Sequence, residues 1–140
     1  MLFQKYKVLF MAEPVGIVLV SHSSRLADGL AELVAQITAG AVPVIAAGGS
    51  DDGGIGTSYE RIRTAIADAD RGAGVVVLPD LGSAVLTTRS VLADHPDPAV
   101  VLLDTAFVEG AVAAAAAASA GADLASVVKA AEEARDVRKF

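Results

Sequence analysis

Residues 15–26 read VGIVLVSHSSRL, and the change of hydrophobic period inside this segment decides the fold. Val15 to Val20 is a continuous β-branched and aliphatic run, which is typical of a strand buried on both faces in a parallel sheet. The apolar residues that follow recur at helical spacing: Leu26, Leu30, Leu33, Val34 and Ile37. Ser23 and Ser24 are candidate caps before them, and Gly40 is a candidate stop. The opening unit is therefore predicted to be a strand followed by a helix.

The rest of the chain repeats this alternation. Further strands are predicted over residues 42–46, 75–78 and 99–103, and further helices over about 59–69, 84–92, 107–119 and 124–135. Alternating strands and helices imply right-handed crossovers. The fold class is therefore α/β, with an open doubly wound parallel sheet of about four strands in the order 2-1-3-4. We expect helices on both faces, and further helices at the C-terminus.

The chain length of 140 residues indicates one domain, predicted to span residues 14–140. Residues 1–13 are expected to form an N-terminal extension rather than a signal peptide, because no small-residue cleavage pattern follows them, and Met11 is a second plausible start. The uncharged stretch 110–122 is shorter than the roughly 20 residues that a membrane span needs. We therefore expect a cytoplasmic protein with no membrane partner. The Ala-rich segment 113–118 predicts a closely packed helix, on an internal face or at a dimer contact.

Composition excludes several classes of function. The chain has no cysteine and two histidines, which argues against thiolate catalysis, iron–sulfur clusters and metal sites, and no cofactor is expected. The formal net charge is −6, and the 11 Lys and Arg residues are scattered, so nucleic acid is not an expected partner. An acidic surface instead favours encounters with basic protein faces.

The strand order places one crevice between the carboxyl ends of the first and third strands. His22 follows the first strand and Asp80 follows the third. A carboxylate that accepts one ring N–H of a histidine fixes the tautomer and leaves the other ring nitrogen as a nucleophile, which suits a phosphoryl carrier.

The candidate phosphate-binding groups lie in the same two loops: Ser23, Ser24, Arg25, Gly82 and Ser83. The hydroxyls and the helix N-terminal N–H groups are suited to receive phosphoryl oxygens, and Arg25 is either a charge-assisted donor or a solvent-facing residue. A purely structural alternative remains open, in which His22 is a polar loop residue and Asp80 caps the third helix. His95, between the third helix and a Pro-rich break, is expected to face solvent.

Three nucleotide- or phosphate-handling classes are disfavoured. Residues 48–58 lack the Gly-Lys-Ser/Thr ending of a P-loop and carry two acids, so this Gly-rich loop is expected to be a flexible rim. The first strand–helix turn contains no glycine, unlike a dinucleotide-binding turn. A phospho-Asp receiver domain needs acidic residues where this chain has Ser21 and His22.

Four blocks carry a resemblance to a known family. They are residues 17–26 (IVLVSHSSRL), 55–57 (IGT), 80–84 (DLGSA) and 108–110 (VEG), in a match that runs from about 15 to 135. In these blocks the chain resembles the phosphoryl-carrier subunits (DhaM) of phosphoenolpyruvate-dependent dihydroxyacetone kinases. Their first domain is similar to the mannose-class enzyme IIA of the sugar phosphotransferase system (PTS).

The resemblance implies that His22 is phosphorylated on Nε2 by the phosphocarrier protein HPr. It then passes the group to ADP bound in the DhaL subunit, which phosphorylates dihydroxyacetone on DhaK. The chain would thus be a subunit of a phosphoenolpyruvate–glycerone phosphotransferase and a homodimer, with Asp80 orienting His22. Because two proteins must dock over the histidine, an apolar patch beside it is expected, with Leu26, Leu81 and Val85 as candidates.

Two other functions remain as alternatives. One is a mannose-class enzyme IIA of sugar transport. The resemblance to this group is weaker at the histidine, because the group has Thr-His-Gly where this chain has Ser21-His22-Ser23. The other is a non-catalytic α/β binding domain. Phosphorylation of His22 would distinguish this binding domain from the two kinds of phosphoryl carrier.

Overall fold

Four parallel strands form the centre of the molecule, in a computed structural model that describes residues 13–140. Nearly all of the N-terminal extension expected at residues 1–13, including Met11, lies outside the described residues. The strands are β1 (Gly16–Ser21), β2 (Val44–Gly48), β3 (Val75–Pro79) and β4 (Val100–Leu102). Their order is β2-β1-β3-β4, and every neighbouring pair is parallel. The predicted fold class and strand order are confirmed.

Within residues 13–140, five α-helices surround the sheet. They are α1 (Ser24–Thr38), α2 (Tyr59–Ala69), α3 (Gly82–Asp94), α4 (Phe107–Ser119) and α5 (Leu124–Glu133), and a short 3₁₀ helix (Ala134–Asp136) follows. Ser23, Ser58 and Asp123 cap α1, α2 and α5, since each side chain accepts a backbone N–H of the first turn. α1 ends in two residues of positive φ, Ala39 and Gly40, close to the stop predicted at Gly40.

The helices cover both faces of the sheet, because alternate strand residues point in opposite directions. Ile17 and Leu19 of β1 pack in a core with α1, α4 and α5. Val18 and Val20 pack in a second core with α2 and α3. Four alanines of the Ala-rich helix α4 are almost fully buried in the first core: Ala111, Ala114, Ala115 and Ala118. Their small side chains allow α4 to lie close to the sheet and to α5.

Gly16 lies where the start of β1 meets the end of α2. A Cβ atom built on Gly16 would lie 2.1 Å from the carbonyl oxygen of Ala69, a backbone atom that can move only with the helix. Gly16→Ala is therefore expected to lower the free energy of unfolding by about 3 kcal/mol or more, the upper end of the cost of overpacking.

Urea denaturation measures this effect, and α1 offers a matched control. Gly29 is exposed and has no heavy atom within 4 Å of a Cβ built on it. Gly29→Ala is expected to raise the unfolding free energy by about 0.5 to 1 kcal/mol, since alanine is the better helix former. Equal effects of the two substitutions would contradict the close approach at Gly16.

Candidate active site

His22 is the first residue after β1, at the carboxyl edge where β1 lies beside β3. Its backbone is held on both sides: its N–H donates to Asp80 Oδ2 at 3.0 Å, and its carbonyl accepts the N–H of Gly56 at 2.9 Å. Its side chain is 21% exposed. The imidazole is thus fixed at its base but reachable from solvent.

Asp80 directly follows β3, and its carboxylate accepts four hydrogen bonds. Oδ1 accepts from His22 Nδ1 at 2.8 Å and from the Leu81 N–H at 2.7 Å. Oδ2 accepts from Ser21 Oγ at 2.8 Å and from the His22 N–H. Burial, which leaves this side chain 9% exposed, raises the pKa of Asp80, but the bonds from His22, Ser21 and Leu81 outweigh it and hold that pKa below its usual value.

The partners of the His22 ring assign its tautomer. An ionised carboxylate can only accept, so the proton of the neutral ring lies on Nδ1, facing Asp80. Nε2 then carries the lone pair, and its neighbour is the Ser83 hydroxyl, a group that can donate to it. The more exposed nitrogen is therefore the nucleophilic one.

The N-terminus of α3 lies beside Nε2, because Ser83 belongs to its first turn. No side chain caps this terminus within residues 13–140; the Leu81 carbonyl accepts the N–H groups of Ala84 and Val85. The N–H groups of Gly82 and Ser83 precede these and lie at the positive end of the helix dipole, which favours an anion. The structure therefore brings Ser83, one of the expected phosphate-binding residues, to His22, and Gly82 precedes it at the same helix terminus.

The other three expected phosphate-binding residues have different surroundings. Ser23 Oγ is occupied as the cap of α1, where it accepts the Leu26 N–H at 3.2 Å. Ser24 lines a separate cavity of about 430 Å³ that lies along the edge strand β2. Arg25 is exposed and has no hydrogen bond or ion pair with any part of the chain from residue 13 onward. None of these three residues, which cap or begin α1, is hydrogen-bonded to the His22 ring.

Exposed apolar side chains lie on the three segments that adjoin or contact His22, which are the start of α1, the Gly-rich loop and the first turns of α3. Of the three expected docking residues, Leu81 is 65% exposed, Leu26 is about half exposed and Val85 is partly buried. Leu86 of α3 and Ile55, which is 80% exposed, extend the apolar surface. Neither residue is among the site residues predicted from the sequence, although an isoleucine in a Gly-rich loop is a usable indication of exposure.

The Gly-rich loop is tied to the site rather than being a free rim. Besides the bond from Gly56 to the His22 carbonyl, Thr57 and Thr87 share a hydroxyl hydrogen bond of 2.7 Å that joins the loop to α3. Within the loop, the Ser50 N–H donates to the Gly54 carbonyl, and the Gly54 N–H donates to the Asp52 carboxylate. The loop therefore presents Ile55 beside His22 at a position fixed by hydrogen bonds.

His95 lies at the other end of α3, where its N–H closes the helix on Val91. Since α3 has 13 residues, about 20 Å of helix separates His95 from Ser83. Within residues 13–140 there is no group of three or more His, Asp or Glu residues that is suited to a metal ion. Over the same residues, no helix is long and apolar enough to cross a bilayer.

Comparison with known proteins identifies the class to which this fold and site belong. Residues 16–128 match the EIIA-man family, described as the PTS system fructose IIA component, and the chain belongs to this family. The matched region contains both His22 and Asp80. The resemblance found in the sequence is confirmed at this level.

The curated proteins that this chain is similar to include DhaM proteins. The chain is 37% identical over 132 residues to the phosphoryl donor subunit DhaM of the PEP-dependent dihydroxyacetone kinase of Providencia stuartii, covering 89% of this chain and 28% of that protein. It is 36% identical over 106 residues to the DhaM of kinase 1 of Listeria innocua, covering 76% of this chain and 83% of that protein. The chain thus spans little more than a quarter of the first relative and most of the second.

A solved structure supports the same fold. The crystal structure of the protein of unknown function EF1359 has a TM-score of 0.79 and 30% sequence identity to this chain. The match covers 91% of this chain and 98% of that one. The fold described here is therefore that of an experimentally determined protein along nearly its whole length.

Proposed function

We propose that the chain is the phosphohistidine carrier of a PEP-dependent dihydroxyacetone kinase system. His22 Nε2 accepts a phosphoryl group from HPr and gives it to ADP bound in a DhaL subunit, so that dihydroxyacetone on DhaK is phosphorylated. The relatives named as DhaM phosphoryl donor subunits support this proposal, as does the membership in a PTS family. The carrier domain would span residues 14–140, after an extension of residues 1–13.

The bond between His22 Nδ1 and Asp80 Oδ1 is the observation that carries the proposal. In the loading step, the Nε2 lone pair forms a bond to phosphorus while the bond from phosphorus to the donor's imidazole nitrogen breaks. The electron pair of that bond stays on the donor ring. Positive charge develops on the His22 ring, and the Asp80 carboxylate stabilises it through the Nδ1 proton, which does not move.

The discharge step runs in the opposite direction. A β-phosphate oxygen of ADP attacks phosphorus, the Nε2–phosphorus bond breaks, and its electron pair returns to Nε2 as ATP forms. Phosphoryl transfer of this kind depends on alignment and charge stabilisation. We expect the equatorial oxygens of the transferring group to accept hydrogen bonds from the Ser83 hydroxyl, which lies beside Nε2, and from the N–H groups of Gly82 and Ser83 at the start of the same helix.

The surface around His22 suits docking by two successive proteins. Leu26, Ile55, Leu81 and Leu86 supply exposed apolar contact area on the segments around a histidine whose side chain is itself 21% exposed. The chain's negative charge favours basic faces on both partners. We also propose a homodimer, and a cytoplasmic location, where ADP is available.

Stepwise phosphorylation tests the proposal. The protein is incubated with phosphoenolpyruvate, enzyme I and HPr, and its intact mass is measured. The expected result is the gain of one phosphoryl group that is lost in acid and kept in alkali, as for phosphohistidine. No gain with any HPr from the same cell would contradict the carrier function and favour a non-catalytic binding domain.

A sugar-transport enzyme IIA is the second candidate, favoured by the description of the matched family as a fructose component. The two functions differ in the acceptor. Phosphorylated protein is mixed with DhaL–ADP and DhaK carrying dihydroxyacetone, or with a sugar-specific enzyme IIB. Formation of dihydroxyacetone phosphate supports the proposed function, whereas transfer only to the enzyme IIB would support the second candidate.

A further inference from the structure

Ser21 is a fully buried hydroxyl at the end of a strand that is otherwise built of glycine and aliphatic residues. It pairs with Gly48 of β2, and its carbonyl accepts the Gly49 N–H at 3.0 Å, so the strand backbone is complete without the side chain. A buried hydroxyl costs free energy unless it is hydrogen-bonded. Nothing in the packing of β1 therefore calls for a serine at this position.

The Ser21 hydroxyl makes two hydrogen bonds, one in each direction. Oγ donates to Asp80 Oδ2 at 2.8 Å and accepts the Ser23 N–H at 3.1 Å. Ser23 is the cap of α1, and Asp80 is the partner of His22. The hydroxyl therefore connects the beginning of α1 to the carboxylate behind the imidazole.

Among the four donors to Asp80, Ser21 has a distinct place. Two donors are backbone N–H groups, of His22 and Leu81, and a third is the His22 ring itself. Ser21 supplies the only hydrogen bond to this carboxylate, within the described residues, from a side chain that does not react. Its bond to Oδ2 resists rotation of the carboxylate, and so it keeps Oδ1 aligned with Nδ1 of His22.

We propose that Ser21 is a positioning residue for phosphoryl transfer: its buried hydroxyl locks the orientation of the Asp80 carboxylate and thereby the Nδ1–H tautomer of His22. The proposal rests on the proposed function of His22 as phosphoryl acceptor. Ser21 itself touches neither partner protein nor phosphoryl group, because no part of it is exposed.

Two substitutions of Ser21 and one control test this role. Ser21→Ala removes the hydroxyl, and Ser21→Thr keeps it. Thr38→Ala removes another buried hydroxyl, which bonds the Ala35 carbonyl at the far end of α1. All three are compared with the wild type in the transfer of phosphoryl from phosphorylated HPr.

Single-turnover kinetics at varied concentrations of phosphorylated HPr separate positioning from docking. For Ser21→Ala we expect the maximal transfer rate to fall about 10-fold, the size usual for losing a partner that orients a reacting group, while the concentration of phosphorylated HPr that gives half of this rate stays unchanged. Ser21→Thr and Thr38→Ala are expected to stay within about 2-fold of the wild type. An unchanged maximal rate in Ser21→Ala, or a loss that lies only in the half-saturating concentration, would overturn the proposal.

Nitrogen-15 NMR of the His22 ring gives a readout that needs no phosphoryl donor. In the wild type, a neutral ring with its proton on Nδ1 is expected, and in Ser21→Ala that proton is expected to exchange with water about 10-fold faster, as the carboxylate becomes free to rotate. Identical exchange in both proteins would overturn the proposal, even if HPr proves not to be the donor. If only the proposed function is wrong, HPr does not phosphorylate the chain, but the difference in proton exchange between the wild type and Ser21→Ala remains.

A measurement on the wild type covers the case in which Ser21→Ala does not fold. The Ser21 hydroxyl proton is expected to exchange slowly enough for direct NMR detection, since it is buried and donated to a carboxylate. Rapid exchange of this proton with water would overturn the proposal.

Discussion

His22→Ala is expected to abolish phosphorylation by phosphoenolpyruvate, enzyme I and HPr. The substitution removes the nucleophilic Nε2, and the neighbouring Ser83 hydroxyl does not replace it, because that hydroxyl has no base once the imidazole is gone. We expect a loss of at least about 10³-fold in the labelling rate, comparable to removing the nucleophile of other group-transfer enzymes. Intact mass after a fixed incubation measures the effect.

The second histidine provides the matched control. His95 is exposed at the far end of α3, so His95→Ala is expected to label at the wild-type rate. Circular dichroism of both variants checks that the fold is intact. Labelling of His22→Ala together with loss of labelling in His95→Ala would show that the phosphoryl group resides on the other histidine.

Asp80→Asn is expected to slow phosphoryl transfer by about 10² to 10⁴-fold, the range seen when the carboxylate behind a catalytic histidine is replaced by its amide. The four groups around Asp80 are all donors, whereas an amide places an NH₂ group against one pair of them. The amide therefore disfavours the Nδ1–H tautomer and no longer neutralises the charge on the loaded ring. Rapid-quench measurement of the transfer from phosphorylated HPr determines the rate.

The unfolding free energies of the wild type and of Asp80→Asn are expected to converge in acid. Because the folded pKa of Asp80 lies below its ordinary value, the ionised carboxylate stabilises the fold above that ordinary value, and this contribution is lost as the pH falls through the folded pKa. The difference in unfolding free energy between wild type and Asp80→Asn should therefore be largest near pH 7 and should narrow below about pH 4. A rate loss with no such pH dependence would assign Asp80 to transfer alone, and an unchanged rate would make it only a structural residue.

The hydrophobic period is sufficient to predict the order of strands and helices. The errors lie at the ends of these elements, where tertiary contacts determine the boundary. The second strand was predicted over 42–46 but lies at Val44–Gly48. The Gly-rich pattern places Gly48 in a loop, but in the structure it ends β2, where a Cβ would lie 2.6 Å from Ser24 Cα of α1. The glycine allows the helix to approach the strand, which no local pattern reveals. Similarly, the sequence pattern predicts that α5 continues to about residue 135, whereas the chain tightens into a 3₁₀ helix after Glu133.

The site was predictable to the extent that topology determines it. His22 and Asp80 were identified because the strand order places the ends of β1 and β3 side by side. The bond from Gly56 to the His22 carbonyl and the exposure of Leu86 follow from the path of a loop and the rotation of a helix, which one sequence does not encode in a readable pattern. The two hydrogen bonds of the Ser21 hydroxyl are likewise not predictable from the sequence.

The carboxylate of Asp80 is held in part by two main-chain N–H groups, from the residues that follow β1 and β3. Point mutation does not remove these groups, since every residue except proline carries one. By contrast, Leu26, Ile55, Leu81 and Leu86 are side chains on the outside, free to vary without disturbing that support. In evolution, such a protein can exchange one docking partner for another while the chemistry at its histidine is inherited unchanged.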